Sequence, residues 1–408
     1  MNHTTGKEIG YDAVFIDING DHIDSTIDPN VTQEARVLPN LNLTKADDFW
    51  PGKSKFFLRG LGVLNIPEDG DYFFRLTSAG KVKLQLNNVD LVVHEEMHEK
   101  GMKEGKRLLP KGPAVFDYGY YPGDKVPFLM LEWSRDGKSY EVISDEFYEN
   151  TRVVEVDAWS GATEVSKDNS GLNTLTEAEK ASGWKLLFDG KTTKGWHTYN
   201  KPGTIGSRWV VENGSLKFEG YEKYFTYYVA GRVFYHANID KLAEGGLDIV
   251  TDDSYENFEL VLEWKISKDG NSGLFYTVQE IETYKEGWNS SPEMQILDDQ
   301  GQKDGLIRGH RSADLYDLIP STERRTKPHG EWNKVKIVKN RGKIEHWMNG
   351  ALVLQYDTNS STWQNRIANS KFASYIENYG KPGPGKIGLQ DHDDTVWFRN
   401  IKIKLLED

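Results

Sequence analysis

Apolar residues in this chain recur at every second position, a period that strands satisfy and helices do not. Lys81-Val-Lys-Leu-Gln-Leu86 alternates cleanly and runs through the turn pair Asn87-Asn88 into Val89 to Val93. Phe258, Leu260, Leu262, Trp264 and Ile266 share one face of a second segment, with Glu259, Glu263 and Lys265 on the other. Further strands are expected over residues 71–77, 128–134, 334–339, 343–348, 386–390 and 396–405. Turn signals such as Glu68-Asp69-Gly70, Arg135-Asp136-Gly137 and Met348-Asn349-Gly350 separate them. Many short strands punctuated by turns predict an all-β chain of sandwiches or barrels and argue against alternating βαβ units.

The clearest helix signal is local. Thr176-Glu-Ala-Glu179 is a capping box that opens a helix over 177–182, and Gly183 can end it. Residues 160–173, just upstream, are rich in Ser, Gly, Asn and Asp and nearly empty of large apolar side chains, as in an interdomain linker. The expected organisation is an N-terminal β-sandwich over 7–158, a linker over 159–175 and a C-terminal β-sandwich over 176–408.

Charge and composition narrow the function. The 50 Lys and Arg against 63 Asp and Glu give a net charge of −13, the wrong sign for binding nucleic acid or an anionic membrane. No apolar run approaches the roughly 18 residues of a membrane span. Cysteine is absent, which excludes disulfide scaffolds, thiolate metal sites and cysteine nucleophiles. The opening residues Met1 to Gly6 show neither a basic region nor an apolar stretch, so no signal peptide is visible there.

From Trp184 onward a series of blocks carries a resemblance. Trp184-Lys-Leu-Leu-Phe-Asp-Gly190 leads to Gly195-Trp196, then Gly246-Leu-Asp-Ile-Val-Thr251, Tyr255-Glu-Asn-Phe258 and Gly270-Asn-Ser-Gly273. Glu293-Met-Gln-Ile-Leu-Asp298, Gly330-Glu-Trp-Asn333, His346-Trp-Met-Asn-Gly350 and Gly388-Leu-Gln-Asp-His392 follow in order. The set resembles the 3-keto-disaccharide hydrolase family, whose concanavalin-like, laminarinase-like jelly roll is common in glycan-degrading bacteria. Upstream, Gly70-Asp-Tyr-Phe-Phe-Arg75, Val82-Lys-Leu-Gln-Leu-Asn87 and Leu129-Met-Leu-Glu-Trp133 resemble the protective-antigen-type β-sandwich, which often binds carbohydrate. Sugar-binding members of that type hold calcium with an adjacent pair of aspartates. Here the segment reads Leu86-Asn87-Asn88-Val89-Asp90, so the resemblance does not extend to a calcium-dependent lectin site.

Alternation selects candidate site residues. Glu293 and Gln295 oppose Met294 and Ile296, Gln390 and His392 oppose Leu389, and Glu263 and Lys265 oppose Leu262 and Trp264. Three strands thus each offer two polar groups, of types that strands do not favour. A retaining glycosidase needs two carboxyls about 5 to 5.5 Å apart, and after Glu293 the alternating positions hold Gln295 and Leu297, which disfavours that chemistry on this strand.

The family resemblance implies another route. A ketone at C3 of a sugar acidifies the C2 hydrogen, the glycosidic oxygen on C1 leaves by elimination, and water then adds. Such a site needs a base near C2, a cation or donors for the enolate oxygen, and an acid for the leaving oxygen. His392 is the first choice for base or metal ligand, Glu293 for base or acid, and Lys265 for the enolate. Gln295 and Gln390 would orient sugar hydroxyls beside Glu263, and Asp248 and Asn271 match family positions bordering the site. The substrate implied is a carbohydrate oxidised by a partner sugar oxidoreductase, and the location implied is periplasmic or extracellular. A divalent metal is compatible with this chemistry, although no spacing in the chain specifies one. A non-catalytic carbohydrate-binding protein and a conventional glycoside hydrolase are the alternatives.

Structural roles compete at several positions. Asp391, Asp393 and Asp394 could simply hold His392 as a surface imidazolium, and Lys265 could pair with Glu263. His346 is expected to be buried and hydrogen-bonded, Arg399 and Asn400 to stitch the last strand to its neighbours, and Gly270 to Gly273 to form a turn. His94-Glu-Glu-Met-His98 formally matches the zincin pattern but follows a strand and precedes a charged run, so a loop is expected. Tyr118, Tyr120, Tyr121 and Trp133 could stack on sugar, with core packing the stronger expectation. Arg324 and Arg325 are expected to face solvent.

Overall fold

The computed structural model describes residues 9–17, 33–51, 53, 55–87, 89–149, 171–221, 225–229, 232–237 and 247–407. Most of the expected linker, residues 159–170, lies outside them. Two compact units are formed, Met1–Glu155 with Lys223–Ile239, and Val156–Glu222 with Asp240–Asp408.

In the first unit a seven-stranded sheet runs Gln33–Leu38, Tyr11–Asp17, Phe56–Ile66, Gly112–Tyr121, Lys81–Leu86 and Val89–His94, with Tyr148–Glu149 beside Phe56–Ile66. The facing five-stranded sheet contains Glu141–Val142, Leu129–Ser134, Gly70–Ser78 and Gly101–Leu109, with Asn42–Leu43 at its side. Between them pack Tyr11, Phe15, Phe56, Tyr72, Phe74, Leu84, Phe116, Tyr118, Tyr120 and Trp133. Tyr118, Tyr120 and Trp133 are therefore core residues, not an exposed platform. Buried phenols keep partners: Tyr11 and Tyr118 share a hydroxyl contact of 2.9 Å, and the Phe128 N–H donates to Tyr120 Oη at 3.0 Å.

Residues 95–100 form the expected loop, and the charged run continues beyond it as a strand. Gly101–Leu109 pairs along its whole length with Gly70–Ser78 as an edge strand. Lys103 and Arg107 on one face and Glu104 and Lys106 on the other hid it from the apolar period, and such charges are what exposed edges carry. His94 ends its strand, and His98 stacks on it at 4.4 Å while contacting Ser78 O at 3.1 Å, so the zincin-like pattern lies on no helix. Asp90 accepts from Lys83 at 3.0 Å and Gln85 at 2.7 Å, a use of its carboxylate within the sheet.

The second unit opens with the short helix Glu177–Ala181. Thr176 Oγ1 accepts from the Glu179 N–H and the Glu179 carboxylate accepts from the Thr176 N–H, as the capping box requires, and Gly183 follows at φ +87°. An eight-stranded sheet runs Trp209–Glu212, Ser215–Phe218, Val396–Leu405, Phe258–Ile266, Asn333–Asn340, Lys343–Met348 and Ala351–Asp357, with Trp184–Leu186 on Val396–Leu405. A five-stranded sheet runs Trp196–Thr198, Ile249–Thr251, Lys386–Leu389, Asn271–Val278 and Glu293–Leu297. Leu260, Leu262, Trp264, Leu274, Tyr276, Met294, Ile296 and Leu389 fill the space between. His346 is buried there, bonded to Tyr276 Oη at 2.9 Å and Ala313 O at 3.1 Å, and burial lowers its pKa to about 4. The last strand is stitched as expected: Arg399 donates to Glu263 at 2.8 Å, and Asn400 exchanges two bonds with Asn173.

Candidate active site

The outer face of the five-stranded sheet is divided. At one end Tyr199, Val250, Phe275 and Val278 form an apolar patch under Tyr284 and Trp288. At the other end the alternation that sends Met294, Ile296 and Leu389 into the core turns Glu293, Gln295 and Gln390 outward.

Gly273 is the centre of this polar end. It pairs with Gln295, and its carbonyl accepts the Gln390 N–H at 3.0 Å, so the two glutamines flank it on neighbouring strands. A Cβ at Gly273 would stand 2.2 Å from Glu293 Oε1, so the Glu293 carboxyl lies in the hollow left by the missing side chain. The turn expected over 270–273 is displaced. Asp269, at φ +60°, makes the turn, and Asn271, Ser272 and Gly273 already belong to the strand.

Three more expected residues converge here. Asn271 Nδ2 lies 3.4 Å from His392 Nε2, and the His392 ring is exposed. Asp248 is a buried brace: its carboxylate accepts the Gly287 N–H at 2.8 Å and the Asp391 N–H at 3.0 Å, which fixes the chain beside His392. Asn271 Oδ1 and Gln390 Oε1 are buried without hydrogen-bond partners, as acceptors awaiting a ligand hydroxyl would be. Burial raises the Asp248 pKa to about 7 and also lifts Glu293 well above the carboxylate range, although the nearby Lys371 charge opposes the latter.

Lys265 and Glu263 do not join this group. They project from the outer face of the other sheet, with the sandwich core between, so the one face expected for all three strands is two. Lys265 Nζ lies 4.3 Å from the Trp397 ring and 5.1 Å from Trp332, and Glu263 pairs with Arg399 rather than with Lys265.

The cation that acts most on Glu293 is Lys371, which no strand period could select. A loop covers the edge of the Glu293–Leu297 strand through Gln295 N to Asp314 O at 3.1 Å and Tyr316 N to Glu293 O at 3.0 Å. That loop brings Tyr316, on whose ring Lys371 Nζ rests at 4.0 Å, and His310, which is clasped by Asp317 at 3.0 Å and Asp304 at 3.4 Å. Burial disfavours the imidazolium, but the two carboxylates outweigh it and raise the His310 pKa to about 9. A raised histidine pKa stabilises the fold fully below about 6.5 and ceases to as pH rises through about 9. The urea midpoint should therefore fall across that window, with His310 contributing about 3 kcal/mol of stability and the raised Glu293 carboxyl adding to the same fall, and His310→Asn should make the curve shallower. A midpoint independent of pH in the natural chain would refute this charge state. Among the described residues no three His, Asp or Glu side chains converge to hold a metal ion.

In class, a sandwich that gathers a protonatable carboxyl, an imidazole and unpartnered amides on one sheet face holds the groups that acid–base chemistry uses. Residues 183–404 match the family model of the 3-keto-alpha-glucoside-1,2-lyase-like domain, and the chain belongs to that family. Residues 20–146 match the PA14 domain model. The chain is similar to a 3-keto-disaccharide hydrolase of Bacteroides thetaiotaomicron, 36% identical over 257 residues, covering 58% of this chain and 83% of that protein. Two solved Parabacteroides distasonis proteins, provisionally named glycosyl hydrolases, are 33% and 26% identical, with TM-scores of 0.49 and 0.38. They cover 58% and 55% of this chain, and 100% and 99% of their own lengths are covered in turn. No helix among the described residues is long and apolar enough to cross a membrane.

Proposed function

We propose that the second unit cleaves the glycosidic bond of 3-keto-glycosides by elimination followed by hydration. The observation that carries this reading is Glu293, a buried carboxyl held over Gly273 and kept protonated near neutrality, on the same sheet face as the exposed His392. His392 takes the C2 proton, the C2 electron pair forms the C1=C2 bond, and the C1–O bond breaks. Glu293 gives its proton to the departing oxygen, so no alkoxide is released. Water then adds at C1 and a proton returns to C2, which completes a net hydrolysis. Lys371 supplies the positive charge that an enolate at C3 needs, the role expected of Lys265. Asn271 Oδ1 and Gln390 Oε1 accept hydrogen bonds from sugar hydroxyls, and Asp248 positions the His392 segment.

Substrate for this route must come from an enzyme that oxidises a sugar hydroxyl at C3, and we place both in the periplasm or outside the cell. The purified chain should be given a 3-keto-glucoside and its unoxidised parent in deuterated buffer. Cleavage of the keto compound alone, with deuterium entering C2, is expected by NMR. Cleavage of the parent would return the site to conventional glycosidases, and binding without turnover of either would make it a carbohydrate-binding module.

A further inference from the structure

The first unit carries a cavity that this chemistry does not use. On the outer face of its seven-stranded sheet, register places Lys83, Gly119 and Arg59 in one cross-strand row and Lys81 beside Tyr121 in the next. Their sequence neighbours Val82, Leu84, Leu58, Tyr118 and Tyr120 fill the core, so these side chains point the other way. Tyr121 is thus the one aromatic of its Tyr118–Tyr121 cluster that reaches this face.

The cavity holds about 750 Å³, within the range of small-molecule sites. Gly119 is its floor. A Cβ there would lie 2.6 Å from Arg59 Nη1 and 2.9 Å from the Phe57 ring, so glycine is what leaves the hollow open. Phe57 and Tyr121 give it aromatic walls, while Lys55, Arg59, Lys81 and Lys83 line it with positive charge against Glu95 and Asp124. Asp124 is itself drawn to Lys125 at 3.8 Å. Arg59 and Lys83 are steadied by Asp117 at 3.9 Å and Asp90 at 3.0 Å. His94 borders the cavity, but it pairs with Val82 and turns its ring to the core side, where it stacks on His98. A concentration of cations beside aromatic walls is unusual on a chain of net charge −13.

We propose that this cavity binds an anionic sugar residue, a uronate or a sulfate ester within a glycan chain. The lysines and Arg59 meet the anion, and the aromatic rings pack on the pyranose face. This recognition is separate from the catalytic face, and it would hold the enzyme on acidic polysaccharide.

Isothermal titration of the full chain tests it with three probes: trigalacturonate, a 6-sulfated lactose without a carboxylate, and neutral maltotriose. At least one anionic probe should bind and weaken as salt is raised. Lys81→Glu, which reverses a surface charge, and Gly119→Ala, which fills the floor, should each weaken that binding by about tenfold or more, with melting temperature checked in both. Binding of the galacturonate alone would identify the carboxylate as the recognised group, of the sulfated lactose alone the sulfate ester, and of both the charge itself. The proposal fails if neither anion binds at millimolar concentration, if maltotriose binds as well as they do, or if both variants retain full affinity.

Discussion

Replacing Glu293 with glutamine is expected to lower turnover of a 3-keto-glucoside by roughly 10²- to 10⁴-fold while leaving the fold intact. Glutamine keeps the shape that fits over Gly273 and removes the proton the departing oxygen needs. The loss should fall on kcat, because a group that acts on the leaving oxygen does most in the transition state. An activated aryl leaving group, which departs without protonation, should recover much of the lost rate. A variant that cleaved both leaving groups at the natural rate would remove Glu293 from the chemistry. One that bound substrate weakly at unchanged kcat would make it a binding residue. The pH profile provides an independent check: activity that depends on a protonated Glu293 falls on the alkaline side, where its raised pKa is passed, and the glutamine variant loses that limb.

Gly273→Ala should be nearly as damaging although it adds one methyl group. The new Cβ would meet Glu293 at Oε1, Cδ and Cγ, at 2.2, 2.7 and 2.9 Å, so the carboxyl must leave its place. Gly273 lies in the Asn271–Val278 strand and its φ is not positive, so alanine brings no backbone strain. A displacement on the scale of 1 Å costs about 10²-fold in rate when it misaligns a reacting group. Thermal stability should change little, and the double variant with Glu293→Gln should be scarcely worse than either single one, since both remove the same function. Additive losses would mean that Gly273 acts through something other than Glu293.

The sequence alone carried the period of two, and with it the sandwiches, the division of each strand into core and outer faces, and the capping box at Thr176. Those properties are local, because an alternating strand or a reciprocal cap is specified within a few residues. It also selected Glu293, Gln295, Gln390, His392, Asp248 and Asn271, all of which the structure places on or beside one sheet face. The edge strand Gly101–Leu109 escaped because its partner, and not its own pattern, makes it a strand. Which sheet each strand joins was equally hidden. Period tells a residue's face but not its layer, so Glu263 and Lys265 read like Glu293 and Gln295 and fold onto the opposite side of the core. Only tertiary contact brings Lys371, Tyr316 and the His310 pair of carboxylates to Glu293, since they arrive on loops whose residues have no repeat to read. The raised pKa of Glu293 is decided in the same way, because desolvation comes from everything packed around the carboxyl and not from the strand that carries it.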